Sequence, residues 1–336
     1  MPLPSDPLSP PGQRIAAIDE LKGLAIFLVL VFHCTCTLQL ANYSLGHSGV
    51  DIFLALSGFG LGRGLRSESA GRFLIRRLAL ILPRYWLALV LVILGNGWVL
   101  GQWDSLRSIG FHVFILHGFD AESFYAINIS WWFMGMIVPL YGVAALMRPW
   151  LASGRADRVI AAGLGLTAIG YSLLLALVSD GIARHFGTSV PEFILGLAAG
   201  CGLRLGWAGL TLATPLLGGA VLVFVLYCGT VAPGLLESPD PIFGFAWAFG
   251  YLLLTGGPWT AMVWLRRLAA GLGAMSFEVY LYHQPIVTDY NRQVWRWLSG
   301  GADPGAAEMV VGMVVGFALV VGVFTALRVV GRRRSG

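Results

Sequence analysis

Apolar positions along this chain form long unbroken runs, instead of the one-sided spacing typical of helices in a soluble domain. Ten of these runs are long enough to cross a bilayer as a helix. They cover residues 21–40, 49–66, 81–100, 129–147, 159–178, 190–205, 211–231, 242–262, 269–290 and 308–330. No linker long enough to separate two domains interrupts them. The pattern predicts an all-α integral membrane protein, a single polytopic bundle of about ten transmembrane helices.

Composition agrees with this fold class. Hydrophobic residues make up 57% of the chain and charged residues 12%, and the mean hydropathy is +0.76. Charged residues account for roughly a quarter of a soluble domain, so the composition excludes an ordinary soluble enzyme. The net charge of +5 comes from basic residues spread over the connections between apolar runs, so we expect no nucleic-acid partner.

The distribution of lysine and arginine predicts the topology. The segment 101–128 has a short apolar core that contains His112 and His117, and it falls below spanning length. If this segment does not cross, both termini are cytoplasmic and all but four of the 22 basic residues lie inside, in agreement with the positive-inside rule. If it crossed, the cluster from Arg148 to Arg158 would lie outside. We therefore place 101–128 outside, either re-entrant or lying on the surface.

This topology divides the chain into three parts. Residues 1–13 are rich in proline and predict a flexible cytoplasmic tail, residues 14–330 form the membrane domain, and residues 331–336 form a basic cytoplasmic tail. The expected location is the plasma membrane, which is the inner membrane in a bacterium. Membrane lipids are the expected surroundings, and the oligomeric state, including a homo-oligomer, stays open.

Two ionisable residues interrupt the first two apolar runs. His33 lies near the middle of the first run, and Asp51 lies near the start of the second. Ionisable side chains at that depth are costly and usually face a protein interior or a wet cavity. In an antiparallel hairpin the two side chains approach each other, so Asp51 would fix the imidazole tautomer or stabilise its charged form. A structural polar contact between two helices explains the pair about as well.

An arginine cluster precedes the third run. Arg72 and Arg76 share one helix face, as do Arg77 and Arg84, and Pro83 either starts a new helix or kinks a continuous one. Clustered guanidinium groups suit phosphates because they form bidentate, charge-assisted hydrogen bonds. A cytosolic ligand with several phosphates and a long arm fits this pattern, and coenzyme A thioesters are such ligands. Topology alone is the alternative explanation of the loop arginines.

Further polar and aromatic residues fall in the later runs. Trp131 and Trp132 lie near the predicted outer boundary, where they either anchor the interface or stack against a sugar ring. The string GAMSFEVYLYHQPI places Ser276, Tyr280 and His283 on one helical stripe, and Glu278 and Tyr282 on another. We expect Glu278 to have a partner, most simply an arginine or an internal water.

Four strings carry a family resemblance. RIAAIDELKGLAIFLVLVFH, GVDIFLALSGF, RFLIRRLALILPRY and SFEVYLYHQP resemble, in order and over nearly the whole chain, the motifs of the membrane-bound acyltransferase family 3. Members of that family are multi-span enzymes that move acyl groups from coenzyme A to sugars and other acceptors. The chain departs from the family pattern at Lys22 and Leu80, where arginine is commoner, and in the segment WWFMGMIVPLY, which lacks the usual acidic residue.

The resemblance implies roles for particular residues. It implies a catalytic role for His33, which we extend to Asp51, and no metal is expected. Donor binding is implied around Arg14, Lys22, Arg76, Arg77 and Arg84, to which we add their neighbours Arg72 and Tyr85. Our candidates for substrate binding are Ser57, Trp131, Trp132, Glu278, Tyr282 and His283.

These observations predict an integral membrane O-acyltransferase with 14–330 as its acyltransferase domain. The donor is acetyl-CoA or another acyl-CoA, and the acceptor is a hydroxyl of a surface glycan or a lipid-linked sugar, with acetyl as the preferred acyl group. His33 is either the general base or a transient acyl carrier, and the sequence leaves both open. The rival class is a transporter or flippase without covalent chemistry, although we find no inverted-repeat signal for it.

Overall fold

A computed structural model describes residues 16–39, 48–64, 69–149 and 263–334, with scattered positions between 173 and 200. The predicted spans 211–231 and 242–262, nearly all of 159–178, most of 190–205, and Arg14 lie outside the described residues. Regular structure in the described residues is helical throughout: α1 (Ala16–Thr37), α2 (Ser48–Gly64), α3 (Ala70–Val99), α4 (Leu106–Val113), α5 (Trp132–Leu146), α6 (Val263–Ala274), α7 (Ser276–Val287), α8 (Asp289–Leu298) and α9 (Ala306–Arg334).

Within the described part of the chain, three helical stretches are long and apolar enough to cross a membrane. They are Ala70–Val99, Ile129–Leu146 and Ala306–Leu327. Large apolar side chains such as Leu87 on α3 and Val314 on α9 are more than half exposed, which suits a lipid-facing surface. The all-helical membrane character is confirmed, whereas the count of ten spans and the cytoplasmic termini stay predictions.

The third helix runs through Pro83 without a break. α3 is a single helix of 30 residues, and its N-cap Ser69 accepts a hydrogen bond from the backbone N–H of Arg72. Of the two alternatives left open at Pro83, a continuous helix is therefore the one adopted. The arginine cluster consequently occupies the first half of one continuous helix, which also carries Tyr85 and Asn96.

The predicted span 269–290 is wrong in one respect, because it is divided among α6, α7 and α8. The chain leaves the helical conformation at Met275 and again at Thr288. Pro285 precedes the second break and has no N–H to give to the carbonyl four residues earlier, which is that of Leu281. The Thr288 hydroxyl donates to the carbonyl of Gln284 (2.8 Å), which satisfies another carbonyl of the last turn of α7.

Two glycines bring α1 and α6 into backbone contact. A Cβ on Gly23 would overlap the backbone of Ala269, and one on Gly273 would overlap the backbone of Asp19. Next to this contact, the Arg266 guanidinium on α6 binds both carboxylate oxygens of the buried Glu20 on α1, at 3.1 and 3.3 Å. Small residues of this kind let membrane helices approach closely. The packing fixes α1, which carries His33, against the helix that leads into α7.

The segment 101–128 folds back along α3, so that it ends at the level at which it begins. The Asn96 side chain donates to the Asp104 carboxylate and to the carbonyl of Ile127, both at 3.1 Å, so the two ends of the segment meet at one level. Between them, His112 reaches Tyr85 (2.7 Å) and Trp86 donates to the carbonyl of Val113. Tyr85 lies about 16 Å from Asn96 along the axis of α3, toward the N-terminus of that helix. The backbone course is therefore re-entrant with respect to α3, and we call 101–128 the re-entrant segment. Its position relative to the membrane stays a prediction.

Candidate active site

The predicted histidines His33 and His283 come together around a serine. The hydroxyl of Ser130 lies 3.3 Å from Nε2 of His33 and 3.3 Å from Nε2 of His283. The centroids of the two imidazole rings are 4.9 Å apart. The Oε1 of Gln284 lies 3.1 Å from the same hydroxyl. Sequence reasoning missed Ser130 and Gln284, although Gln284 stands next to His283 in the motif SFEVYLYHQP.

The backbone of Ser130 is held on both sides. Its N–H donates to the side-chain oxygen of Asn128 (3.0 Å), which caps the short helical turn Ile129–Trp131. Its carbonyl accepts from the hydroxyl of Tyr280 (2.9 Å). Tyr280 and His283 share one stripe of α7, as the sequence predicted, and both contact Ser130. The hydroxyl is thus fixed in place by neighbours that are themselves buried, which is the arrangement expected of a preorganised site.

Pro285 explains how the turn before α5 is joined to α7. The Leu281 carbonyl, which lacks its intrahelical donor because of Pro285, accepts from the indole N–H of Trp131 (3.2 Å) and from the Asn128 amide (3.5 Å). A backbone carbonyl freed inside a membrane bundle must be satisfied by a neighbouring helix. The proline of the H-x-P motif therefore provides the acceptor that positions the residues on either side of Ser130.

Trp131 and Trp132 are buried within the protein rather than placed at a lipid interface. Trp131 is fully buried, and its carbonyl accepts from Nε2 of His117 (2.9 Å). Trp132 is 8% exposed and stacks on His185, with ring centroids 4.1 Å apart. Interface anchoring is thus the wrong interpretation of the pair. Stacking of either ring on a sugar stays a prediction.

The hydrogen bonds of His283 determine where its protons lie. Nδ1 is 2.8 Å from the carbonyl of Tyr280, and a carbonyl only accepts, so Nδ1 carries a proton. In the neutral ring Nε2 is then an acceptor that faces the Ser130 hydroxyl (3.3 Å), whose one hydrogen points to Oε1 of Gln284 (3.1 Å). His33 meets the same oxygen through Nε2 and is half-buried. Nε2 of His33 and Nε2 of His283 thus both face the one Ser130 oxygen.

A second pair of histidines lies in the re-entrant segment. The rings of His112 and His117 stack with centroids 3.9 Å apart. Nε2 of His112 donates to the carbonyl of Ser123 (3.1 Å), so Nδ1 accepts from the hydroxyl of Tyr85. Burial, and next the neighbouring His117, lower the pKa of His112 to about 3, and burial lowers the pKa of His117 to about 4. Both rings are neutral at pH 7.

Tyr85, predicted to bind the donor, is fully buried and is directed at the re-entrant segment. Asp51 is buried in the first turn of α2, which packs against α1. Ser57 on α2 and Lys22 on α1 are half-buried. Tyr282 is half-buried and stacks on Phe324, with centroids 5.7 Å apart. The donor role of Tyr85 and the pairing of Asp51 with His33 stay predictions.

The arginine cluster lies at a different level from the histidines. Arg72 and Arg76 are exposed, and the half-buried Arg77 places its guanidinium over the ring of Phe73. Arg84 pairs with Glu278 at 3.1 Å, which confirms the expected arginine partner for that acid. Glu278 is only 6% exposed.

Helices α7 and α8 run beside α3 in the same direction, which sets the depth of the site. Glu278 is level with Arg84, and farther along the hydroxyl of Tyr290 donates to the carbonyl of Val92 and to Oδ1 of Asn96, both at 2.9 Å. Interpolation places His283 about 16 Å from the Val99 end of α3 at 1.5 Å per residue. The same measure gives about 17 Å between the levels of Arg77 and His283.

Comparison with known proteins identifies the family of the chain. A protein of Komagataeibacter xylinus that carries the name of a membrane-bound transacylase, BcsY, is 36% identical over 97 residues, which is 28% of this chain and 24% of that protein. The chain thus matches about a quarter of the length of that relative. No solved structure matches the chain. The family model of an acyltransferase domain matches residues 15–329, nearly the whole chain. The protein therefore belongs to the acyltransferase family 3, a family of membrane-bound acyltransferases.

Proposed function

We propose that this acyltransferase moves an acyl group, most simply acetyl, from cytosolic acyl-CoA to a hydroxyl of a surface glycan or a lipid-linked sugar. The observation that carries the proposal is the meeting of His33 and His283 around Ser130, within the membrane bundle and about 17 Å from the level of Arg77. A base held apart from a phosphate-binding cluster requires a donor whose reactive group sits on a long arm.

Donor binding is supported by the charges at the beginning of α3. Arg72 and Arg76 are exposed there and Arg77 is half-buried, so their guanidinium groups are accessible to a ligand with several phosphates. The positive-inside rule predicts that this end of α3 faces the cytosol, where acyl-CoA is found. The arm of the thioester would then extend along α3 and α7 and would bring its carbonyl carbon to the level of the histidines.

The depth of the site is suited to a transfer across the bilayer. The histidines lie about 16 Å from the far end of α3, near the centre of a hydrocarbon core about 30 Å thick. The acceptor hydroxyl would approach from the opposite side, where the re-entrant segment and Trp131 border Ser130. A lipid-linked sugar or a growing surface polysaccharide meets this requirement because it is already at the membrane.

The chemistry is acyl transfer by general base catalysis. His33 takes the proton of the acceptor hydroxyl, the oxygen attacks the thioester carbonyl, the C–S bond breaks, and the proton finally reaches the sulfur of coenzyme A. The buried carboxylate of Asp51 on the facing helix would stabilise the imidazolium form of His33. In the alternative course His33 itself carries the acyl group as an acyl-imidazole.

Turnover of acetyl-CoA by the purified protein separates this proposal from transport without covalent chemistry. We expect slow release of free coenzyme A without an acceptor, and faster release when a membrane glycan extract is added. A protein that moves solutes only would release none under either condition. In cells, acetylation of surface glycans should fall when the protein is removed.

The arginine cluster provides a second test. Arg76→Ala and Arg77→Ala each remove a charge-assisted phosphate contact worth about 1.5–3 kcal/mol, so coenzyme A affinity should fall about ten- to a hundredfold at low ionic strength. Arg292→Ala on α8, predicted to lie on the opposite side of the membrane, is the matched control and should leave affinity unchanged. Unchanged affinity in both cluster variants would leave these arginines as topology signals only.

A further inference from the structure

We propose that the Ser130 hydroxyl relays a proton between His33 and His283, so that His283 is the second base of the acyl transfer. The inference rests on the proposed function and assigns to Ser130 and His283 a role in that same reaction. It starts from the one oxygen that lies 3.3 Å from Nε2 of both rings.

The Ser130 hydroxyl has a hydrogen-bond partner for its hydrogen and for each of its two lone pairs, as a proton relay requires. A hydroxyl donates one hydrogen bond and accepts two. The Ser130 hydrogen points to Oε1 of Gln284 (3.1 Å), and rotation about the Cβ–Oγ bond turns it to Nε2 of the neutral His283 (3.3 Å), whose Nδ1 donates to the carbonyl of Tyr280. In this relay orientation the hydroxyl accepts from Nε2 of His33 and, once the Gln284 amide is turned to present its nitrogen, from Gln284. Every hydrogen bond of the hydroxyl then has a partner.

The same contacts argue against Ser130 as the nucleophile. The residue is 5% exposed, and three polar groups surround its oxygen within 3.3 Å. A nucleophile must direct a lone pair at the thioester carbonyl, and here both lone pairs and the hydrogen are engaged. A hydroxyl that joins two imidazoles without reaching substrate is suited to pass protons between them.

The proton movements balance at each stage. The acceptor hydroxyl gives its proton to Nδ1 of His33 as its oxygen bonds to the thioester carbon. The proton on Nε2 of His33 passes to the Ser130 oxygen, and the hydroxyl hydrogen of Ser130 passes to Nε2 of His283. When the C–S bond breaks and the thiolate leaves, the relay runs backward and Nδ1 of His33 protonates the sulfur. The products are the ester and the free thiol, and both histidines return to neutrality.

His283 holds the extra proton without any rearrangement. As an imidazolium it donates from Nδ1 to the Tyr280 carbonyl and from Nε2 to Ser130, so both N–H groups keep partners at the observed positions. Ser130 then donates to Nε2 of His33. The N···O distances of 3.3 Å in the site without substrate are long for hydrogen bonds. Catalytic hydrogen bonds commonly shorten when substrate binds.

The test is kcat in detergent-purified or nanodisc-held full-length protein with acetyl-CoA and a membrane glycan extract. Ser130→Ala and His283→Gln should each lower kcat about 10²-fold with unchanged KM for acetyl-CoA. The double variant should be no slower than the slower single variant, within about twofold, because both changes break one chain of protons. Ser108→Ala is the control, because Ser108 is equally buried and its oxygen accepts from Ser105.

Rates in mixtures of H2O and D2O separate a relay from a packing role. The relay predicts a curved dependence on deuterium fraction in the wild type, since several protons move together, and a linear dependence in Ser130→Ala and in His283→Gln. Ser130→Thr, which keeps the hydroxyl, should restore most of kcat and the curvature. His283→Gln gives the same readout if Ser130→Ala does not fold.

Two outcomes would overturn the relay. One is a curved dependence that survives in both single variants, and the other is a double variant whose loss multiplies to about 10⁴-fold. Failure of the proposed function looks different, since the wild type itself would then transfer no acyl group and release no coenzyme A.

Discussion

Acid should open the re-entrant segment, because His112 and His117 are stacked and neutral inside it. In an opened segment both rings would titrate near pKa 6.5, whereas burial keeps the pKa of His112 at about 3 and that of His117 at about 4. The open form therefore binds protons first as the pH falls. The stability that the neutral rings contribute is fully present above about pH 6.5 and is lost as the pH falls toward the folded pKa values.

The magnitude follows from the size of the pKa shifts. When the pH falls from 7.5 to 5, each histidine lowers the free energy of opening by about 2 kcal/mol, because each pH unit below 6.5 contributes about 1.4 kcal/mol. Both rings together shift the opening equilibrium by about 10³-fold. Asp120, in the same segment, does not add to this effect. Although burial raises the pKa of its carboxyl, hydrogen bonds from Ser123 and Arg107 hold that pKa below its usual value.

The assay compares two adjacent cysteines in a protein whose native cysteines have been replaced. In detergent-solubilised protein labelled with a small membrane-permeant reagent, Ile115→Cys reports opening because Ile115 is 5% exposed, and Phe114→Cys, at a position that is 74% exposed, corrects for the pH dependence of thiol reactivity. The ratio of their labelling rates should rise steeply from pH 7.5 to pH 5. The rise should disappear when His112 and His117 are both replaced by Asn. A flat ratio in the parent protein, or a rise that survives in the double Asn variant, would refute the reasoning.

Three further predictions follow from single contacts. Pro285→Ala restores an N–H donor for the Leu281 carbonyl, so it should displace the Trp131 indole and lower the transfer rate at least tenfold. Thermal unfolding in detergent should show an intact fold, and an unchanged rate would contradict the role of the freed carbonyl. Glu278→Gln removes the partner of Arg84 and should change coenzyme A affinity, measured by calorimetry, whereas equal affinity would limit the pair to helix packing. Cysteines at Asp104 and Glu122 should both react with an impermeant reagent outside intact cells, and labelling of one only after permeabilisation would contradict the placement of 101–128.

The sequence predicted the apolar parts of α3 and α9. The runs 81–100 and 308–330, which lie almost wholly within these two helices, were recognised because lipid requires continuous apolar sequence in a helix. The division of 269–290 was missed for the opposite reason, since its apolar character continues through the breaks at Met275 and Thr288. Only Pro285 signalled an interruption, and a proline in a membrane helix does not by itself reveal which carbonyl it frees for another segment.

The candidate site was predictable only in its most polar members. His33, Glu278 and His283 stand out because an ionisable group in an apolar run is costly. Ser130 does not stand out, because serine is tolerated in membrane helices and its role depends on the distant Tyr280 and His283. The re-entrant course of 101–128 likewise depends on pairings, such as those of Asn96, that join residues far apart in sequence.

Transfer of labelled acetyl groups tests the central claim most directly. Protein in nanodiscs is incubated with acetyl-CoA labelled in the acetyl group and with a membrane glycan extract, and the label in the glycan is counted for the wild type and for His33→Ala. We predict labelled glycan with the wild type, a loss of about 10²- to 10⁴-fold in His33→Ala, and equal coenzyme A binding by both proteins. Equal labelling by the two proteins would remove His33 from the mechanism, and an unlabelled glycan with the wild type would contradict acyl transfer itself.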